Sequence, residues 1–280
     1  LRQTYDIHEE RRRMFFEALK RTRRGLCCCV FDLTDRIQHM FFRYADGRQS
    51  PCAGGDPDPV ATAYRECDKL VGELVGKLKP DDALFILSDH GFTSFRRNVN
   101  LNRWLELEGY LTRRADASGR DYLQDVDWEK TRAYAFGLSG IYVNLKGRES
   151  RGIVPPAERA ALKQEILSKL SALKDPQSNE SAVLAVYDNE AVYRGPYSNN
   201  GPDLIVGYRR GFRVSWETAK GRVAGELFSD NTRPWSGDHC IDRTLVPGVL
   251  FCNRKMTSDI PPHIMDIAPT VLALFGVPRP

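Results

Sequence analysis

The sequence predicts an α/β fold, a mostly parallel sheet flanked by helices and carrying an α+β insertion or cap. Three observations carry that prediction. Residues 26–31 and 83–87 are short continuous apolar runs, the pattern of strands buried on both faces. Between them, residues 58–79 carry a helical stripe of Tyr64, Cys67, Leu70, Val71, Leu74, Val75 and Leu78. No hairpin spacing separates the two runs, so the order strand, helix, strand argues for a parallel unit.

The remaining elements follow the same reading. Residues 5–21 form a charged amphipathic helix with Ile7, Met14, Phe15 and Leu19 on one side, and residues 36–44 form a short helix. Residues 50–59 are a Pro/Gly/Asp loop, and Pro80-Asp81-Asp82 stops the helix before the second run. Residues 132–136 and 140–145 read as paired strands across a Gly-Leu-Ser-Gly turn, and residues 155–173 as a helix opened by proline. Residues 182–186, 203–208 and 212–216 are further strands. Residues 246–252 return to a buried strand, and residues 269–277 give a last helix. This divides the chain into a core of residues 1–94 and 236–280 and a cap of residues 95–235. There are no internal repeats.

Composition narrows the function classes. The 280 residues hold 41 Lys+Arg against 37 Asp+Glu, a net charge of only +4. That balance, without a basic stripe interleaved with aromatics, argues against a nucleic-acid polymer as partner and leaves room for a small anionic substrate. No apolar run reaches the ~18–20 residues that span a bilayer, so no membrane partner is expected. There are seven cysteines and no C-x-x-C pair; Cys27, Cys28 and Cys29 are consecutive. Neighbours in a strand point to opposite faces, so these read as buried free thiols, which favour a reducing, cytoplasmic compartment. The chain opens on Leu1 and Arg/Glu-rich residues with no secretory apolar region, as in a processed chain or a piece of a longer one.

Three stretches carry metal-ligand chemistry. Ser88-Asp89-His90-Gly91 directly follows the second apolar run. Ligands in open parallel sheets bind beyond the carboxyl ends of strands, and a carboxylate with an imidazole there can grip a cation; an aspartate cap beside a half-exposed histidine fits the tetrapeptide equally well. Asp35 and His39 are four apart, on one face if the stretch is helical, as a shared metal site or a surface ion pair. His239, within Trp235-Ser236-Gly237-Asp238-His239, sits among small and polar residues, with Asp238 placed to orient its ring. Asp35, His39, Asp89, His90 and His239 together form an N and O donor set that suits Zn²⁺, with Mn²⁺ or Fe as alternatives. His8 and His263 read as surface residues. Arg36, Arg96, Arg97 and Asn98 flank these stretches as phosphate-binding candidates, although solvated surface is the favoured reading of each.

The order D-x-x-x-H, then S-D-H-G after a strand, then G-D-H before PGVLF resembles the type I phosphodiesterase/nucleotide pyrophosphatase branch of the alkaline phosphatase superfamily. The phrases TDRIQHMFFRY, LFILSDHGF, SGDHCIDRTLVPGVLFCNR and IMDIAPTVLALFGV are similar to that branch's blocks in order, over nearly the whole chain. The resemblance implies an alkaline-phosphatase-like core and two divalent metal ions. Asp35, His39 and His239 would hold one ion, and Asp89 and His90 the other. It further implies phosphoester hydrolysis of a small phosphorylated substrate. It also implies an aspartate from the domain's first strand and a Thr or Ser nucleophile opening a helix. The sequence offers neither: Thr4, Thr34 and Ser88 do not match that context, so the expected core is incomplete. A phosphomutase or sulfatase-like relative, or an inactive metal-binding fragment, are the alternatives that these residues leave open. The leaving group and oligomeric state are not readable.

Overall fold

A computed structural model of the chain describes residues 1–48, 55–257 and 259–278. The expected loop at residues 50–59 lies in part outside the described residues. Three helices come first: α1 (Arg2–Arg21), α2 (Leu33–Ala45) and α3 (Pro59–Val75). Asp58 starts α3 by accepting the N–H of Ala61 at 3.0 Å, and Pro59 occupies the first position, where no N–H is needed. Next come β1 (Phe85–Leu87), β2 (Thr93–Val99) and α4 (Leu101–Leu107), the last capped by the Asn100 side chain on Arg103 N–H. The middle of the chain supplies β3 (Ala133–Phe136), β4 (Gly140–Val143), α5 (Arg159–Ser171), β5 (Val183–Asp188), α6 (Asn189–Val192), β6 (Leu204–Tyr208) and β7 (Gly211–Val214). Then follow α7 (Trp216–Ala219), β8 (Phe228–Asp230), β9 (Gly237–Asp238), β10 (Leu250–Cys252) and α8 (Ile267–Leu274).

The α/β character holds, but the strands are largely antiparallel. One sheet runs β3-β4-β6-β5, antiparallel throughout. A second runs β7-β2-β8, with β9 also on β2; only its β2–β7 ladder is parallel. The third is β1 with β10, antiparallel. A mostly parallel sheet is therefore not what the described residues form. Apolar runs signal burial and not pairing direction, which long-range register decides.

The main core lies in the middle of the chain. Leu162, Ile166 and Leu170 recur every four residues along α5 and pack with Ile141, Val143, Leu204 and Val206 of the four-stranded sheet. Leu101, Trp104 and Leu105 of α4 extend the same core. A smaller cluster forms where Leu33 and Ile37 of α2 meet Ala63 of α3.

Several expectations fail here. Residues 26–31 form no strand, and Leu26 and Val30 are 64% and 75% exposed, so this run is not a strand buried on both faces. In β1, Leu87 is open and the strand is not sealed. None of the six described cysteines is buried; Cys28 is exposed and the others are partly covered, and Cys52 lies outside the described residues. His8 is buried, its ring 5.6 Å from that of Phe31. Polar neighbours in sequence hid this, because the face of α1 toward Phe31 is set by tertiary contact. His263 is exposed, as read, and caps the turn at Ile264–Asp266. The segment β2 escapes a periodicity reading because Arg96, Arg97 and Asn98 interrupt its apolar alternation. Among the described residues no helix is long and apolar enough to cross a membrane.

Candidate metal centre

The helix α2 brings Asp35 and His39 onto one face, with Nε2 of His39 3.5 Å from Oδ1 of Asp35. His39 Nδ1 lies 2.9 Å from the carbonyl oxygen of Gly237, 198 residues away. With the proton on Nδ1 donated to that carbonyl, the Nε2 lone pair is left facing Asp35. His90 repeats the arrangement: its Nδ1 is 3.0 Å from the carbonyl oxygen of Gly91, again freeing Nε2. Gly91 is required at its position, since a Cβ there would come within 2.9 Å of the Pro247 carbonyl oxygen.

The loop of residues 235–240 joins these parts. Its strand β9 pairs with Thr93 and Ser94 of β2, just beyond His90. Ser236 N–H donates to the His39 carbonyl at 2.7 Å, which pins the loop to α2. Gly237 passes so close to α2 that a Cβ would sit 2.4 Å from the Gln38 carbonyl oxygen. The result is a cluster of imidazoles. His90 and His239 stack at 3.6 Å with 12° between planes, and His39 lies 5.2 Å from His239. Asp35, His90 and His239 each place one ligand-type atom such that all three lie within 4.8 Å of one another. Asp89 borders the cluster, its Oδ1 3.6 Å from His90 Nε2, with most of its side chain in solvent.

Burial pushes the His39 ring below the ordinary histidine value. It does the same for His239, aided by the neighbouring His90. Neutral imidazoles with free Nε2 lone pairs are the form a cation requires. The mixed imidazole and carboxylate donors suit a borderline ion such as Zn²⁺.

Asp238, His239 and Cys240 also lie within ligand distance of one another, but two of the three are unsuited to a cation. Oδ1 of Asp238 accepts the N–H groups of His239 and Cys240, both at 2.8 Å, and its Oδ2 accepts Trp235 Nε1–H at 2.7 Å. Asp238 thus holds the backbone at His239 and not its ring, as the sequence had suggested. Burial, then the charge of Asp238, pushes the Cys240 thiol up to about 12, so it stays protonated at neutral pH.

Three of the four phosphate-binding candidates are engaged elsewhere. Arg36 is paired with Asp32 at 2.6 Å. Arg97 forks onto Asp175 and also meets Asp230. The Asn98 amide donates to Ser229 on β8. Sequence reasoning missed Arg213 and Trp235. His39 stacks on the Trp235 ring at 3.8 Å, and Arg213 Nε lies 2.6 Å from Asp238 Oδ2. No local spacing marks either residue.

The model of the type I phosphodiesterase / nucleotide pyrophosphatase family matches residues 2–236. No curated protein matches the chain.

Proposed function

The chain belongs to the type I phosphodiesterase / nucleotide pyrophosphatase family, and from that premise we propose that it is a metal-dependent phosphohydrolase that acts on phosphodiesters or nucleotide pyrophosphates through a two-metal site. In this reading Asp35, His39 and His239 hold one divalent ion and Asp89 and His90 the other. Zn²⁺ is the ion proposed, with Mn²⁺ or Fe as alternatives. The observation that supports it best is the convergence of three imidazoles and Asp35 from stretches far apart in the chain, with Nδ1 of His39 and of His90 spent on backbone carbonyls. The trio Asp35, His90 and His239, whose ligand-type atoms lie within 4.8 Å of one another, draws on both proposed ligand sets. A pair of neighbouring ions with ligands in common space is consistent with that.

Bound there, two cations would offset charge on the phosphoryl oxygens and lower the pKa of a hydroxyl nucleophile. The chain's own residues do the rest. His39 and His90 are held in one tautomer, Asp35 supplies a half-exposed carboxylate at the mouth, and Phe92 lies against His39 and His239 as an apolar wall. We assign no nucleophile among residues 1–280; the Ser88 hydroxyl already accepts the Val249 N–H at 3.0 Å. Residues 95–235 would act as a cap that selects the leaving group.

Metal analysis tests the reading directly. His239→Ala and Asp89→Ala should each sharply lower the Zn²⁺ retained by the folded protein, and unchanged metal content would remove the residue from the ligand set. A panel of p-nitrophenyl mono- and diesters with added Zn²⁺ or Mn²⁺, run on the full-length protein, should show the diesters preferred. Intramolecular phosphoryl transfer without release would point to a mutase.

A further inference from the structure

Beneath the cluster lies an ion contact that the proposed ligand set does not include. Arg213, on β7, is only 3% exposed, and its partner Asp238 is 1% exposed. Desolvating two charges is costly unless geometry and further hydrogen bonds offset it. The pair is an ion contact at 2.6 Å in which Arg213 Nε makes no aligned hydrogen bond, so the surroundings must supply the rest. The guanidinium lies between two aromatic faces, 4.5 Å from the Trp216 ring centre and 5.1 Å from that of Phe95, and donates to the Val214 carbonyl at 3.2 Å. The carboxylate receives Trp235 Nε1–H and two backbone N–H groups.

The links run outward from this pair to two imidazoles. Asp238 Oδ1 fixes the backbone N–H of His239 itself. Asp238 Oδ2 fixes the Trp235 indole, whose face stacks on His39. One buried carboxylate therefore holds the backbone that carries His239 and the indole against which the His39 ring stacks, and Arg213 is the cation paired with it. A planar guanidinium stacked on aromatics does this with a fixed direction that an ammonium cannot reproduce.

We propose that Arg213 is a positioning residue of the metal centre, setting through Asp238 the directions in which His39 and His239 present their nitrogens. This rests on the metal-binding reading above. The test uses Co²⁺ as a coloured substitute, with the d–d absorption of the loaded full chain reporting ligand geometry and a competing chelator reporting affinity. Arg213→Lys keeps the charge but loses the planar, aromatic-stacked guanidinium. It should change the band shape and weaken Co²⁺ about 10- to 100-fold, the usual effect of losing an outer partner of a ligand. Asp238→Asn should do the same. Arg213→Met combined with Asp238→Asn removes both charges and so avoids an unpaired buried one. If Arg213 acts through Asp238, this double variant should weaken Co²⁺ no more than Asp238→Asn alone. It also decides the question if Arg213→Lys fails to fold. An unchanged spectrum and affinity in Arg213→Lys, or a double variant whose loss is the product of two independent effects, would overturn the proposal while leaving the metal reading intact. A wild-type chain that takes up no Co²⁺ would sink both.

Discussion

The middle of the chain and its two flanks are built to different standards. Between β2 and β8, Ile166, Tyr208 and Leu204 are sealed beneath α5 and a four-stranded sheet, and buried charges have partners. Asp203, for example, receives Arg148, Arg159 and the Val143 N–H. In the flanks, β1 and β10 form a two-stranded ladder whose Phe251 is 62% exposed, α8 buries none of its side chains, and Leu26 and Val30 lie open. A cleft of about 1130 Å³ separates these pieces, lined by Phe15, Phe16, Leu26, Phe85, Leu274 and Phe275. Apolar sequence buys burial only where a second layer meets it, and two strands alone are marginal. The candidate metal centre sits at the junction. Asp35, His39 and His90 come from the flank, and the loop that gathers them is tied by Arg213 to the well-packed side.

Four measurements would break or sharpen this contrast. The largest effect should follow Asp203→Ala, which leaves Arg148 and Arg159 without their shared acceptor; about 3–5 kcal/mol should be lost, read as a lower urea midpoint. A midpoint close to wild type would show that the middle region does not depend on its buried charges. Next, Ile166→Ala opens a cavity in the main core and should cost about 2–5 kcal/mol in the same assay.

Acid should act on the middle too. Side-chain bonds from Arg97 hold the Asp175 carboxyl below the usual carboxylate range. At Asp238 burial pushes upward, but the Arg213 charge and the backbone N–H groups outweigh it, and the net shift is also downward. A lowered folded value means stability that is present above the ordinary carboxylate range and is lost as pH falls through the folded value. Thermal midpoints should therefore fall steadily on acidification below about pH 4, and less so in Asp175→Asn. Equal acid sensitivity in that variant would remove Arg97–Asp175 as a source. The smallest effect is expected in the flank: Phe251→Ser should shift stability by no more than about 0.5 kcal/mol. A loss of several kcal/mol would mean that this strand is covered in solution.

Local geometry made part of this legible. The four-residue spacing of Asp35 and His39 needs only a helix to act, Pro59 after Asp58 announces a helix start, and the strands β3 and β4 declare themselves on either side of Gly137. His90 is legible because it closely follows an apolar run. Periodicity does not mark the strand β2, which carries Arg96, Arg97 and Asn98; partners of Arg97 and Asn98 on other segments explain why a strand tolerates them.

By itself, then, the sequence determined which residues are chemically able to bind a cation and which short stretches would be helix or strand, because those depend on neighbours within a few positions. Tertiary structure alone decided that most strands pair antiparallel, that His8 is buried while Leu26 and Val30 are open, and that Arg213 lies under Asp238. Burial and pairing are properties of segments brought together across the chain, as in the 198 residues between His39 and the carbonyl that orients it, and no local pattern encodes which segment will arrive.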